Sequence, residues 1–160
     1  MKVLTKDECQ QWCERLGLGV SEFGTPVFPS QPAPTDFDIP SDAGRRVALA
    51  REHLATFRDS PEVLVWMTEW GVWPSSERMH MFDRFRLSYG LNSPLIEHPG
   101  HLLARVEFET TSSLATFAIL FLWDCYVVAS DRRAMLFYCH DEFGTFGANS
   151  VEPVSGTNAG

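Results

Sequence analysis

The sequence predicts an α+β fold, an antiparallel sheet with a C-terminal β-hairpin packed against three or four helices. Three observations lead there. Residues 5–17, 41–57 and 75–90 carry apolar side chains at helical spacing between start and stop signals. The run EVLVWMTEWGVW at 62–73 is rich in Val and Trp and bounded by proline on both sides, as a strand would be. Finally, DCYVVASDRRAMLFYCHDEFG at 124–144 places two apolar runs about a polar turn.

In chain order, Thr5 opens a capping box with Glu8, each side chain serving the other's backbone N–H. Cys9, Trp12, Cys13 and Leu16 then share one helical face, and Gly17 supplies a left-handed stop. Residues 17–40 hold five prolines and three glycines, so they read as an extended connector that tucks in Phe23, Phe28 and Phe37. Ser41 or Asp42 caps a second helix to about Phe57, with Val47, Ala50, Leu54 and Phe57 inward and Arg45, Arg46, Glu52 and Arg58 mostly elsewhere.

In the strand that follows, alternation puts Val63, Val65, Met67 and Glu69 on one face and Leu64, Trp66, Thr68 and Trp70 on the other, with Gly71 placed to allow a bulge. Ser75 and Ser76 open a third helix through Tyr89, closed by Gly90. After the loop LNSPLIEHPGH, LLARVEFE reads as a short strand and SSLATFAILFLW as a buried helix capped by Ser112 or a preceding Thr. The hairpin pairs 124–129 with 134–139. A four-residue SDRR loop, the preferred length, sets Asp124 across from Cys139 and Trp123 across from His140. An odd loop would instead face Cys125 with Cys139. Residues 1–149 thus form one domain, and residues 150–160 a small, polar, frayed tail.

Composition narrows the function. The 160 residues carry a net charge of −8, divided as −4 over residues 1–44, +1 over 45–90 and −5 over 91–160. A phosphate-backbone binder needs surplus Lys and Arg, so nucleic acid is not an expected partner, whereas a basic protein is compatible. The N-terminus has no apolar signal core, and the run 114–123 is too short to span a bilayer, so a soluble cytoplasmic chain with four reduced cysteines is expected.

The polar cluster Cys139, His140, Asp141 and Glu142 supplies ligand and acid–base chemistry, and His98 and His101 add two imidazoles in an H-x-x-H spacing. A metal-assisted hydrolase would need His98, His101 and His140 to meet, with Asp141 or Glu142 as ligand or general base. Pro99-Gly100 makes that spacing a loop rather than a helix face, and successive strand residues point to opposite faces. The preferred reading is therefore a buried strand emerging into water, with Asp141 forming a turn and Gly144 completing the reversal, and with neither metal nor cofactor expected. Glu107, Glu109 and Glu142 are a weaker carboxylate set, read as a wet face or first helical turn. Trp66, Trp70 and Trp73 are candidates to line a binding groove. No GxSxG, GxxxxGK[ST] or GxGxxG motif occurs.

EHPGHLL followed by TFAILFLWDCYVVASDRRAMLFYCHDEFG resembles a pattern in small acidic bacterial proteins, some of them immunity-protein-like. There, an apolar helix leads into a W-D-x-Y strand, a short turn and a second strand ending in HDE. The resemblance covers about 50 residues and implies a cytoplasmic α+β domain without established catalytic residues. A binding module of the immunity or antitoxin type is the first expectation, and the metal-assisted hydrolase the second.

Overall fold

The computed structural model describes residues 1–30, 32–70 and 79–148. Its elements are β1 (Lys2–Leu4), α1 (Lys6–Arg15), β2 (Thr35–Asp38), α2 (Ala43–Leu54), β3 (Glu62–Glu69), α3 (Met79–Ser88), β4 (Gly100–Ala104), α4 (Phe108–Phe121), β5 (Asp124–Ala129), β6 (Ala134–Tyr138) and β7 (Phe143–Ala148). The strands form one antiparallel sheet in the order β1-β4-β3-β5-β6-β7-β2. The fold is α+β as expected, with strands near both ends of the described chain joined in the same sheet.

Both faces of the sheet are covered, which explains why its central strands are apolar on both sides. On one face Val63, Val65, Met67, Cys125, Val127 and Leu136 pack against Ala50 and Leu54 of α2, Phe82 of α3, and Leu114, Ala118 and Ile119 of α4. On the other, Leu64, Trp66, Val128 and Met135 meet Cys9, Trp12 and Cys13 of α1. That second cover is shorter than the first and leaves a cavity over part of β3, β5 and β6.

Local signals act as the chain chemistry demands. Glu8 N–H donates to Thr5 Oγ1 at 3.2 Å and Thr5 N–H to Glu8 Oε2 at 2.8 Å, closing the capping box. Gly17, at φ +71, ends α1 in a Schellman motif: Leu18 N–H donates to the Cys13 carbonyl and Gly17 N–H to that of Glu14. Asp42 caps α2, and the helix continues as a 3-10 turn to Phe57. All four cysteines are free and buried, and burial pushes every thiol up, Cys13 to about 12.

The hairpin has the four-residue loop: Cys125 pairs with Tyr138 and Val128 with Met135. The same register continued by one residue sets Asp124 across from Cys139. Trp123, however, turns to the helical face and packs edge-on to Phe82 at 5.0 Å, so His140 does not sit against an indole.

Three strands escaped the sequence reading. β1 precedes the capping box, β2 lies inside the connector, and β7 follows the hairpin where only a reversal was expected. In consequence Gly144 is a strand residue paired with Tyr138, and Glu142, at φ +64, takes the left-handed turn position. Phe37 lies so close over Gly144 that a Cβ there would fall 2.3 Å from its ring. Phe28 also packs inward, but Phe23 is exposed.

In α2, Val47 is exposed and Arg46 is buried instead. Arg46 donates from Nε to the Pro40 carbonyl at 2.6 Å and from Nη1 to that of Leu120 at 3.2 Å. Helix α4 starts at Phe108, a turn before Ser112, because the strand after the loop stops at Ala104 and a 3-10 turn leads straight into the helix. The expected start of the third helix, Gly71, Trp73 and the tail lie outside the described residues. Among those residues no helix is long and apolar enough to cross a membrane.

Candidate functional site

The site is built at the end of the sheet where β3 and β6 end and β5 begins. A bulge between Met67 and Glu69 adds Thr68 to β3 and resets its alternation, so Glu69 pairs with Asp124 on the cavity face, not on the helical face expected from strict alternation. Across β5, the hairpin register brings Cys139 beside Asp124. Two adjacent strand positions and one bulge therefore line up a carboxylate, a second carboxylate and a thiol in one row.

The turn after β6 adds an imidazole. Cys139 N–H donates to the Phe143 carbonyl at 2.8 Å and Glu142 N–H to the Cys139 carbonyl at 3.2 Å, folding residues 139–142 into a tight reversal. His140 is thereby turned back over β5: its backbone N–H donates to Asp124 Oδ1 at 2.7 Å, and its Nδ1 lies 2.8 Å from the same oxygen. Its Nε2 stands 3.6 Å from Asp141 Oδ1. Desolvation favours the neutral ring, but the hydrogen bond to Asp124 and the charges of Asp124, Asp141 and Glu69 outweigh it, so the imidazole is held above its ordinary value. Burial pushes the Cys139 thiol up to about 11. Such a thiol is not an activated nucleophile.

Asp124 also opens onto a cavity of about 450 Å³ on the same face. Its lining includes the cross-strand row Trp66, Tyr126 and Phe137, of which Trp66 is fully buried, together with Glu69, Asp124 and Trp70. Tyr126 and Phe137 stack with centroids 4.4 Å apart. The start of α1 and the connector also contribute, and there Lys6 Nζ donates to the Phe23 carbonyl at 3.1 Å. Aromatic surface framed by fixed charges is suited to hold an amphipathic or cationic group.

The structure separates the three histidines proposed to meet. His101 is fully buried beside Val65 on the helical face, where Arg86 Nε donates to its Nε2 at 3.1 Å; burial and that guanidinium push its pKa down to about 3. His140 lies on the other face, so the sheet stands between them. His98 remains in the loop, and its carbonyl accepts from Arg86 Nη2 at 3.3 Å. Asp141 is exposed beside His140, while Glu142 points to Arg46, with Oε1 3.5 Å from Nη2. Nor do Glu107 and Glu142 pair: Glu107 takes the N-terminal ammonium and the Ala104 N–H, at the first turn before α4. Trp66 and Trp70 are among the residues that line the cavity, and Trp73 lies outside the described residues.

Sequence reasoning missed Asp124. Among the described residues, the group of His, Cys and acidic side chains whose donor atoms gather within 4.8 Å of one another is Asp124, Cys139 and His140. The hairpin register already placed two of the three together. Comparisons of the chain with models of protein families, with curated proteins and with solved structures found no match.

Proposed function

We propose that this chain is a cytoplasmic binding protein of the bacterial immunity or antitoxin type, whose cavity receives a basic side chain from a protein partner. The observation that carries the reading is the pairing of Glu69 with Asp124 in the wall of an aromatic-lined cavity. Two carboxylates on neighbouring strands repel each other, and a Lys or Arg head group between them relieves that repulsion while its stem lies on the half-buried rings of Tyr126 and Phe137. The net charge of −8 acts in the same direction at longer range, speeding encounter with a basic surface and disfavouring nucleic acid. Catalysis is a poorer fit, because the Cys139 thiol is strongly protonated and both ring nitrogens of His140 face carboxylates.

The test is titration of the full chain with the peptides Gly-Arg-Gly and Gly-Glu-Gly, followed by NMR. The expected result is a saturable perturbation of Glu69, Asp124 and Tyr126 by the cationic peptide only, with a dissociation constant of about 1 mM or tighter. Weakening about fivefold in Glu69→Gln, as befits ~1 kcal/mol for one charge, places the peptide in the cavity. Equal responses to the two peptides, or none, would remove the reading.

A further inference from the structure

We propose that Asp124, Cys139 and His140 together form a binding site for a divalent ion of the zinc class, with one coordination position facing the cavity. The donor set is the first argument. A thiolate, an imidazole and a carboxylate are the three side-chain ligands that zinc combines, and thiolate with imidazole disfavours magnesium and calcium.

Geometry is the second argument. The three donor atoms lie within 4.8 Å of one another, and ligands bound at zinc distances stand about 3.5 Å apart in a tetrahedron, so the donors are already near the spacing an ion requires. The backbone has already oriented the donors: Asp124 and Cys139 by the β5–β6 register, His140 by the turn that donates its N–H to Asp124.

The surroundings supply a third. With Nδ1 on the ion, the Nε2–H is left to Asp141, whose Oδ1 is 3.6 Å away, and a carboxylate behind a ligating imidazole is the usual partner that orients it. Glu69 pairs with Asp124 on the neighbouring strand but is not among the donors that gather within 4.8 Å, so water fills the remaining position. Binding replaces the S–H bond of Cys139 with a metal–sulfur bond and releases that proton to solvent, with no change of oxidation state.

The site stands on its own geometry and does not depend on the peptide-binding reading, although the two share Asp124. A bound ion takes up negative charge in the cavity lining, so metal and cationic peptide compete.

The experiment uses the purified full chain stripped with a chelator and titrated with Co²⁺, whose thiolate complex absorbs in the near ultraviolet. One equivalent is expected to produce that band and to raise the melting temperature. Cys139→Ser should abolish the band, His140→Ala should weaken Co²⁺ binding at least tenfold while the variant still melts cooperatively, and Cys9→Ser should leave the band in place. Absence of the band in the parent chain at one equivalent, or its survival in Cys139→Ser, would overturn the proposal. Peptide is absent from this titration, so its outcome is separable from that of the peptide experiment.

Discussion

Arg86 and His101 meet inside the core with Nε donating to Nε2 at 3.1 Å, and that one contact assigns the imidazole's proton. A guanidinium only donates, so Nε2 must be the bare nitrogen and the neutral ring carries its hydrogen on Nδ1. The same guanidinium reaches the carbonyls of Ser93 at 2.8 Å and His98 at 3.3 Å, tying the loop before β4 to α3.

Acid sensitivity follows from this pair. The pKa of His101 is about 3 in the folded chain against an ordinary value of 6.5, so the unfolded chain binds the proton that the folded one refuses. Its contribution is complete above pH 6.5 and is lost as the pH falls toward about 3, with a slope of about 1.4 kcal/mol per pH unit. His101→Gln, which keeps an acceptor for Arg86, should flatten the acid limb of a denaturant-derived stability profile by one proton. An unchanged slope would show that His101 is not the group involved.

Replacing Arg86 by Leu leaves two carbonyls and an imidazole nitrogen without their donor in a buried place. The expected loss is about 3–5 kcal/mol in urea unfolding. Amide exchange should accelerate most in residues 91–99, because the loop loses its tether to α3. A uniform change across the chain would speak against that tether.

Gly100 lies under α1, where an added Cβ would fall 2.1 Å from Cys9 Sγ and 3.1 Å from Leu4 Cβ. Gly100→Ala should therefore cost about 2–3 kcal/mol by overpacking. Adding Cys9→Ala removes the nearest atom, so the double variant should be more stable than the sum of the single effects allows. Strict additivity in thermal melts would mean that the clash is relieved elsewhere.

Among the described residues, Lys6 is the cation that lines the cavity with Glu69 and Asp124. Lys6→Ala should tighten Gly-Arg-Gly binding about threefold, the opposite sign to Glu69→Gln, and the difference between the two should shrink in high salt. Weaker binding in Lys6→Ala would place the peptide's carboxylate, not its guanidinium, as the group recognised.

Much of the central fold could be read from residue patterns. Thr5 and Glu8, Gly17, Asp42 and the Val/Trp run each act through local chemistry, and local chemistry is visible in sequence. The SDRR turn carried more, since it set the register that brings Asp124 beside Cys139. What stayed hidden depends on partners distant in the chain. TDFD looks like loop because its aspartates are poor strand formers, and β2 exists because β7 offers a ladder for Phe37 across from Gly144. Thr68 gives no sign of a bulge, yet that extra residue decides which face Glu69 occupies. His98 and His101 drew attention by spacing, although burial beside Arg86 gives His101 a packing role.

The last strand in the sheet has a further effect. Among the described residues β2 is an edge strand with no partner on its outer side, carrying Asp36 and Asp38 on either side of Phe37, with Pro34 and Pro40 just beyond its ends. A second molecule approaching rim to rim would bring like charges together and find no N–H to accept from at the prolines. The sheet thus ends itself at this border, and fibre-like growth from that side is discouraged before any chaperone is needed.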